Sequence, residues 1–413
     1  MRKLRVWLPR LIFIFTILGP GFITANVDND AGGIYTYAAA GAQFGYSLLW
    51  TMIPVAIALT MAQEISARMG VVTGKGLSEL IREHFGLRIT FLLMCGLLLC
   101  NLGDVVSEFA GVASSIQLFG ISKYISVPLA AVFVWTLVVF GDYKRLEKIF
   151  VALSFLYIAY IITAALSRPD WSLAVRDVVR LPGTSEMHQP GYLYLAIGII
   201  GATIAPWQQF YLQASIVDKG TPRADLRYSQ ADAIVGSLFS VLIAALIVIA
   251  CSATLHAYGV QQIHSATDAA ESLKPLAGQY AFILFGVGLF NASIFAASIL
   301  PLSTAYTVCE ALGFEWGLNK RFRQAPAFYW LYTLLLATGA VIILLPQFPL
   351  IKVAVLSQVL NGLLLPVVLI FMLLLVNKKD LMGTFRNSRV YHAIAWALTG
   401  IIIVLIILMT LTQ

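Results

Sequence analysis

Long apolar runs follow one another along the whole chain. We number them spans 1 to 11, at residues 11–42, 46–67, 89–117, 124–141, 149–166, 190–217, 231–258, 277–310, 327–346, 349–376 and 391–411. A helix needs about 20 apolar residues to cross a bilayer core, and there it satisfies all of its backbone hydrogen bonds internally. Charged residues make up only 11% of the 413 residues, against about a quarter in a soluble domain. The chain is therefore predicted to be an all-α polytopic membrane protein.

The basic residues are unevenly divided between the two sides of the membrane. With the N-terminus inside, 21 of the 27 lysines and arginines fall on the cytoplasmic side. Cytoplasmic loops carry such an excess in membrane proteins, so we expect a cytoplasmic N-terminus and an extracellular C-terminus. The net charge of +7 then reflects these loops, and no nucleic-acid partner is expected. The short loops favour a bacterial plasma membrane.

Span 1 is interrupted by polar and small residues, Ala25-Asn26-Val27-Asp28-Asn29-Asp30-Ala31-Gly32-Gly33. Carboxylates inside a spanning segment cost several kcal/mol unless a polar or charged group meets them. The Ala-Gly-Gly triplet is a poor continuation of a helix, and it leaves backbone carbonyls free to act as oxygen ligands. The stretch predicts a broken helix that carries a cation site.

Span 6 has its own interruption, at residues 201–209, where Pro206 removes a backbone donor. Spans 1 and 6 each open a group of five, and an odd number of spans inverts the second group. Paired broken helices in inverted halves indicate the midplane site of a transporter. We expect a first five-helix repeat at residues 1–180, an inverted second repeat at 181–376, and a loop with an additional helix 11 at 377–413.

Eight short motifs, in order along nearly the whole chain, resemble those of the Nramp divalent-metal transporters. They are Gly19-Pro20-Gly21-Phe22, residues 39–46 (AAGAQFGY), 68–74 (RMGVVTG), 145–147 (RLE), 168–171 (RPDW), 198–203 (GIIGAT), 356–359 (LSQV) and 381–383 (LMG). The resemblance implies the LeuT-type fold, with 11 transmembrane helices and two inverted five-helix repeats whose helices 1 and 6 are broken.

The sequence departs from the family pattern at the site itself. The family's Asp-Pro-Gly-Asn falls on residues 30–33, where Asp30 is kept but Gly33 replaces the ligand asparagine. The family's Met-Pro-His falls on residues 205–207, so Ala205 replaces a thioether ligand. Sulfur favours transition metals, whereas Mg²⁺ prefers hard oxygen ligands and usually keeps several waters. The pattern resembles the Nramp-related magnesium transporter branch.

The resemblance implies a set of oxygen donors for the ion. Asp30 is the expected central ligand, and Asp28 is an additional carboxylate that could instead cap the following half-helix. The remaining candidates are the carbonyls of Val27 and Ala202, the open positions Gly33 and Ala205, the amides of Gln208 and Gln358, and the flanking Pro206 and Trp207. Gln208 could instead satisfy carbonyls freed by Pro206, and Trp207 could line the cavity or face lipid.

The family's proton route is only partly present. Glu108 matches its glutamate, but the aspartate position reads Val105, with Asp104 one residue away, and span 9 has no arginine. Asp104 and Glu108 lie four residues apart, so they share a helix face, where both could be structural. We expect weak or absent proton coupling.

The sequence thus predicts an importer of divalent cations, Mg²⁺ first and Mn²⁺ second, that works by alternating access. A proton-coupled Mn²⁺/Fe²⁺ symporter and an amino-acid permease of the same fold are the alternatives, and a passive channel stays open. The spans contain no HExxH or GxSxG motif, so we expect no enzyme, no cofactor and no obligate protein partner. The four cysteines show no CxxC spacing and are interpreted as packing residues.

Overall fold

The computed structural model describes residues 19–260, 266–346 and 349–412, and the side chains of 266–282 fall outside this description. The start of span 1 and the N-terminal basic residues therefore lie outside the described residues. All elements in the described ranges are helices joined by loops.

Each predicted span corresponds to a helix or to a pair of helices. In chain order these are Pro20–Val27 with Ala31–Phe44 (span 1), Met52–Thr73 (2), Leu87–Gln117 (3), Lys123–Val139 (4), Tyr143–Phe155 with Ile158–Leu166 (5), Tyr192–Thr203 with Pro206–Lys219 (6), Leu226–Thr254 (7), Ala266–Leu312 (8), Pro326–Leu344 (9), Leu350–Val376 (10) and Arg389–Thr412 (11). Spans 1 and 6 are both broken, as the sequence predicts.

The predicted boundaries differ most where loops are themselves helical. Helices Leu77–Phe85 and Trp171–Val179 lie between spans, and two further turns of helix are Thr184–Met187 and Lys379–Met382. Leu77–Phe85 is amphipathic and buries its leucines and isoleucine, so it lies against the spans. Gly86, at a φ of 86°, then turns the chain directly into span 3. Sequence hydropathy misses such helices because half of their surface is polar.

Small residues bring the broken spans close to their neighbours. The Cα of Gly236 in span 7 faces the backbone of Phe22, where an added Cβ would lie 2.6 Å from the Phe22 Cα. Gly201 in span 6 approaches Gly362 in span 10 in the same way: a Cβ added at Gly201 would lie 2.9 Å from the Gly362 Cα. Such close backbone approach is typical of packed membrane helices. The two interruptions are therefore held inside the bundle, where their residues are buried.

Eight of the described helical segments are long and apolar enough to cross a bilayer, and Lys123–Val139 is a shorter apolar helix. Large apolar side chains are exposed on the outer spans, for example Leu129 in span 4 and Val404 in span 11. This outward apolar surface suits contact with lipid. The proposed limits of the two repeats, at 180 and 376, stay predictions.

Candidate ion-binding site

The break in span 1 is built by Asp30. The first half-helix ends at Val27, and Asp30 adopts an extended backbone before the second half-helix begins at Ala31. The Asp30 carboxylate accepts a hydrogen bond from the Gly33 N–H at 2.6 Å, so it caps its own half-helix. The alternative in which Asp28 is the cap is therefore wrong, because Asp30 occupies that position. Both carboxylates are buried.

The break in span 6 follows from its proline. The first half-helix ends at Thr203, Ile204 has a non-helical backbone, and Pro206 opens the second half-helix. A proline is well suited to the first helical position, because the missing N–H would have no partner there. Ala205 is the N-cap residue, and its side chain is buried beside the break.

Two hydrogen bonds join the breaks to each other. The Ala205 N–H donates to the Asp28 carboxylate at 3.2 Å. The hydroxyls of Tyr37 and Thr203 lie 2.9 Å apart, one on each broken span. Asp28 thus reaches from the break of span 1 to the break of span 6. The unwound backbone between Val27 and Ala31 allows this contact.

Two backbone carbonyls lose their usual helical donors at the breaks. In a helix the Ala202 carbonyl would accept from residue 206, which is proline and has no N–H. The Val27 carbonyl would accept from residue 31, but the Ala31 N–H donates to Glu108 at 3.2 Å. Val27 and Ala202 are the two carbonyls that the family resemblance implies as ligands, and the helix breaks account for their availability.

Spans 3 and 10 close the site with a polar cluster. The Asn361 side-chain amide donates to both carboxylate oxygens of Asp104, at 3.0 and 2.9 Å. The Gln358 amide approaches the same carboxylate at 3.5 Å. One oxygen of Glu108 is buried without a hydrogen-bond partner. Gly32 leaves the space into which Gln358 projects, since an added Cβ there would overlap the Gln358 amide.

Gln208 and Trp207 are occupied by structural contacts. The Gln208 carbonyl accepts from the Gln63 amide, and its own amide donates to the Thr203 carbonyl at 3.3 Å. This geometry matches the alternative in which Gln208 satisfies a carbonyl freed at the break. Trp207 is buried within the protein, so it does not face lipid.

Four carboxylates are buried at the break of span 1 and on span 3, and within the described residues none of them forms an ion pair. They belong to Asp28, Asp30, Asp104 and Glu108, and their hydrogen-bond partners are backbone N–H groups and side-chain amides. Burying anionic groups without a counter-charge costs several kcal/mol each, so a bound cation or protons must balance them. Within the described residues no group of three or more His, Cys, Asp or Glu forms a metal cluster.

Sequence reasoning missed Asn361, which supplies the closest partner of Asp104. Its position three residues after Gln358 places both amides on one helix face, and that spacing was the available signal. It also missed Tyr37, whose hydroxyl meets span 6.

Two broken helices that meet at a buried polar site, within a bundle of eleven spans, define a membrane transporter of the LeuT type. The chain belongs to the Nramp family, because the family model described as natural resistance-associated macrophage protein-like matches residues 21–412.

Curated relatives are similar over nearly their whole length. A divalent metal cation transporter MntH from Ralstonia nicotianae is 30% identical over 405 residues, covering 93% of this chain and 88% of that protein. Another MntH, from Deinococcus radiodurans, is 29% identical over 408 residues, covering 95% of this chain and 88% of that protein.

Solved structures agree on the fold. A manganese transporter from Eremococcus coleocola, in complex with an aromatic bis-isothiourea compound, superposes with a TM-score of 0.77 at 22% identity, covering 95% of this chain and 86% of that one. MhsT in complex with L-phenylalanine has a TM-score of 0.59 at 15% identity, and the match covers 95% of this chain and 98% of MhsT. The predicted fold and family are thereby confirmed.

Proposed function

We propose that this Nramp-family protein carries divalent cations by alternating access, with Mg²⁺ as the main cargo and Mn²⁺ as a second. The single observation that supports this most strongly is the chemistry of the two breaks. Neither break keeps the sulfur or amide ligand that the family resemblance implies, because Ala205 stands at the thioether position and Gly33 at the asparagine position. The proposed ligands are Asp30, Asp28 and the carbonyls of Val27 and Ala202.

An oxygen-only site suits a hydrated Mg²⁺ ion. Mg²⁺ loses its water reluctantly and is usually held through a few carboxylates with several waters retained. Asp28 and Asp30 supply two negative charges without crowding the ion. Gly33 and Ala205 contribute no side-chain ligand atoms, so in the proposed site water takes those coordination positions. We therefore propose that the protein belongs to the Nramp-related magnesium transporter branch.

Manganese is the second candidate, and the names of the relatives favour it. The similar proteins are named as divalent metal cation transporters, and the similar solved structure is a manganese transporter. Carboxylate, carbonyl and water ligands also suit Mn²⁺, so the same site would accept it. Loss of the sulfur ligand should reduce the preference for Mn²⁺ over Mg²⁺, and this preference is what separates the two candidates.

We further propose that transport is uncoupled from protons. Val105 stands where the family has an aspartate, and it packs against Gly339 of span 9, with an added Cβ at Gly339 only 2.6 Å from the Val105 side chain. This apolar contact leaves no room for a cationic side chain at Gly339. The Asp104 carboxylate turns to Asn361 of span 10 instead. A proton route between spans 3 and 9 therefore keeps Glu108 but lacks the family's aspartate and its span 9 arginines.

An amino-acid permease of the same fold is the less favoured alternative. The carboxylate of an amino acid would approach Asp28 and Asp30, and like charges at this separation repel. For orientation, we propose a bacterial plasma membrane with the N-terminus in the cytoplasm, as the excess of basic residues on that side suggests.

The experiment that tests this function is uptake into proteoliposomes. One set of vesicles carries a Mg²⁺-sensitive dye and a parallel set carries a pH dye. We expect voltage-driven Mg²⁺ entry without acidification of the lumen. If Mg²⁺ does not enter the vesicles while Mn²⁺ enters together with protons, the proposal fails and the proton-coupled symporter is correct.

A further inference from the structure

A cavity whose lining includes neither helix break opens beside the loop between spans 8 and 9. Its volume is about 810 Å³. It is lined by residues 139–142 at the end of span 4, by loop residues 318–324, and by Tyr329 at the start of span 9. We call it the basic cavity. Its loops lie on the side that the distribution of lysine and arginine assigns to the cytoplasm.

Two arginines give the basic cavity its uncompensated charge. Of the charged residues that line it, Lys320 is paired with Glu315, and Asp142 is paired with the Arg145 guanidinium at 4.0 Å while it accepts from the Arg145 backbone N–H at 2.9 Å. Arg321 and Arg323 are exposed, and neither is among the ion pairs formed within the described part of the chain. Two guanidinium groups therefore remain free to bind an anion.

The loop that carries these arginines has a fixed backbone. The Tyr329 hydroxyl donates to the Lys320 carbonyl at 2.7 Å, and the Arg321 N–H donates to the Gln324 side chain at 2.8 Å. Between the two arginines, Phe322 stacks on Tyr329 with ring centroids 5.4 Å apart. Such anchoring reduces the entropic cost of binding a ligand. The loop is thus a preorganised site rather than a loose basic segment.

The basic cavity continues into an apolar surface that faces outward. Phe140, at its rim, is 72% exposed, and span 4 exposes Phe133 further along. Span 9 exposes Trp330 and Leu334 alongside. A ligand for this place therefore needs an anionic head and an apolar tail.

We propose that the basic cavity binds the phosphate headgroup of an anionic phospholipid, whose acyl chains lie along spans 4 and 9. Arginine is the residue best suited to phosphate, because its planar guanidinium can donate two parallel hydrogen bonds. Basic pockets between membrane helices on the cytoplasmic side bind such headgroups in other proteins. The site is separate from the ion pathway, and it does not depend on which cation is carried.

The test is lipid binding to the intact protein, measured by native mass spectrometry with phosphatidylglycerol or phosphatidylcholine added. In the double variant Arg321→Gln/Arg323→Gln we expect phosphatidylglycerol affinity to fall on the order of 30-fold, since the two arginines should contribute similar amounts to the free energy of lipid binding. Phosphatidylcholine binding should be weak and unchanged. A matched control, Lys379→Gln/Arg389→Gln, removes two exposed cations elsewhere on the same side and should retain wild-type affinity.

Three results would overturn the proposal. They are equal loss of binding in the control variant, unchanged phosphatidylglycerol affinity in the arginine variant, and displacement of the lipid by millimolar inorganic phosphate alone. The last would mean a free-anion site.

Thermal unfolding distinguishes loss of the lipid site from misfolding of the variant. In phosphatidylcholine, wild type and arginine variant should share one Tm. Added phosphatidylglycerol should raise the Tm of wild type and control only, and an equal rise in all three would contradict the proposal.

Discussion

The Asp28 carboxylate accepts a hydrogen bond from the Ala205 N–H at 3.2 Å, and this contact joins two helix breaks that lie 177 residues apart in the chain. Asp28 can therefore have two effects, one on the geometry of the breaks and one on the charge of the site. The first prediction separates them.

Asp28→Asn keeps an oxygen acceptor for Ala205 but removes one negative charge. We expect its Tm to stay close to that of wild type while the apparent Mg²⁺ affinity falls on the order of 10- to 100-fold. A unit charge about 6 Å from a divalent ion contributes about 3 kcal/mol at an effective dielectric of about 40, between the values for a protein surface and for water. The measurement is the concentration dependence of Mg²⁺ uptake. Unchanged affinity would mean that Asp28 acts only through its hydrogen bond.

Asp30→Ala should abolish transport, because it removes the proposed central ligand together with the cap on Gly33. Loss of the cap alone costs about 1 kcal/mol. Asp30→Asn can still cap the half-helix, so this variant tests the ligand role of the carboxylate alone. It should transport no better than Asp30→Ala. Asp170→Ala is the matched control, since it removes a cap from a loop helix. Wild-type uptake by either Asp30 variant would refute the assignment of this ligand.

Pro206→Ala should impair uptake by repairing the helix. The new N–H at position 206 can donate to the Ala202 carbonyl, which then ceases to be available to the ion. We expect roughly tenfold lower apparent affinity for Mg²⁺, the loss typical of a disturbed metal site. Pro128→Ala, at an exposed proline inside span 4, controls for general effects of removing a proline. Equal affinity of Pro206→Ala and wild type would argue against a carbonyl ligand at Ala202.

Ala205→Met should shift selectivity toward Mn²⁺, because it restores the soft sulfur ligand. Ala205→Leu adds similar bulk without sulfur and should leave the ratio of Mn²⁺ to Mg²⁺ uptake unchanged. Both variants can lose about 1–3 kcal/mol of stability through overpacking, so rates are compared as ratios. The same ratio in Met and Leu variants would show that position 205 does not touch the ion.

Restoring asparagine at Gly33 is a poorer test than the sequence suggests. An added Cβ there would lie 2.5 Å from the Asp28 carbonyl oxygen, so the backbone must shift before the side chain fits. The glycine is thus required by the path of the chain at the break.

Asn361→Ala should destabilise the protein, since it leaves the buried Asp104 carboxylate without its two amide contacts. We expect a loss of about 1–3 kcal/mol, the usual penalty for an unsatisfied buried group. In a double-mutant cycle with Asp104→Asn, the two effects should be clearly non-additive. Additive changes in unfolding free energy would show that the contact of Asn361 with Asp104, at 2.9–3.0 Å, does not contribute to stability.

The fold was predictable because its main determinants are local. Hydropathy located the spans, and Pro206 and the Asp28–Gly33 stretch located both helix breaks. The amphipathic helix Leu77–Phe85 was missed because its polar half lowers its mean hydropathy.

The contacts of the site were less predictable, since they depend on pairs distant in sequence. Nothing near Asp28 indicates Ala205, and nothing near Asp104 indicates Asn361. Gln208 resembles a ligand in sequence but is engaged by Gln63, a residue on another span. The ligand roles of Asp30, Val27, Ala202 and Gln358 stay predictions until an ion is observed.

The most direct test of the central claim is the anomalous scattering of Mn²⁺ in crystals, with Mg²⁺ as competitor. We predict one peak between Asp30, Asp28 and the carbonyls of Val27 and Ala202, with at least some ligands at roughly 4 Å through shared waters, and loss of that peak in excess Mg²⁺. A peak elsewhere, or one that excess Mg²⁺ does not displace, would contradict a hydrated, oxygen-only magnesium site.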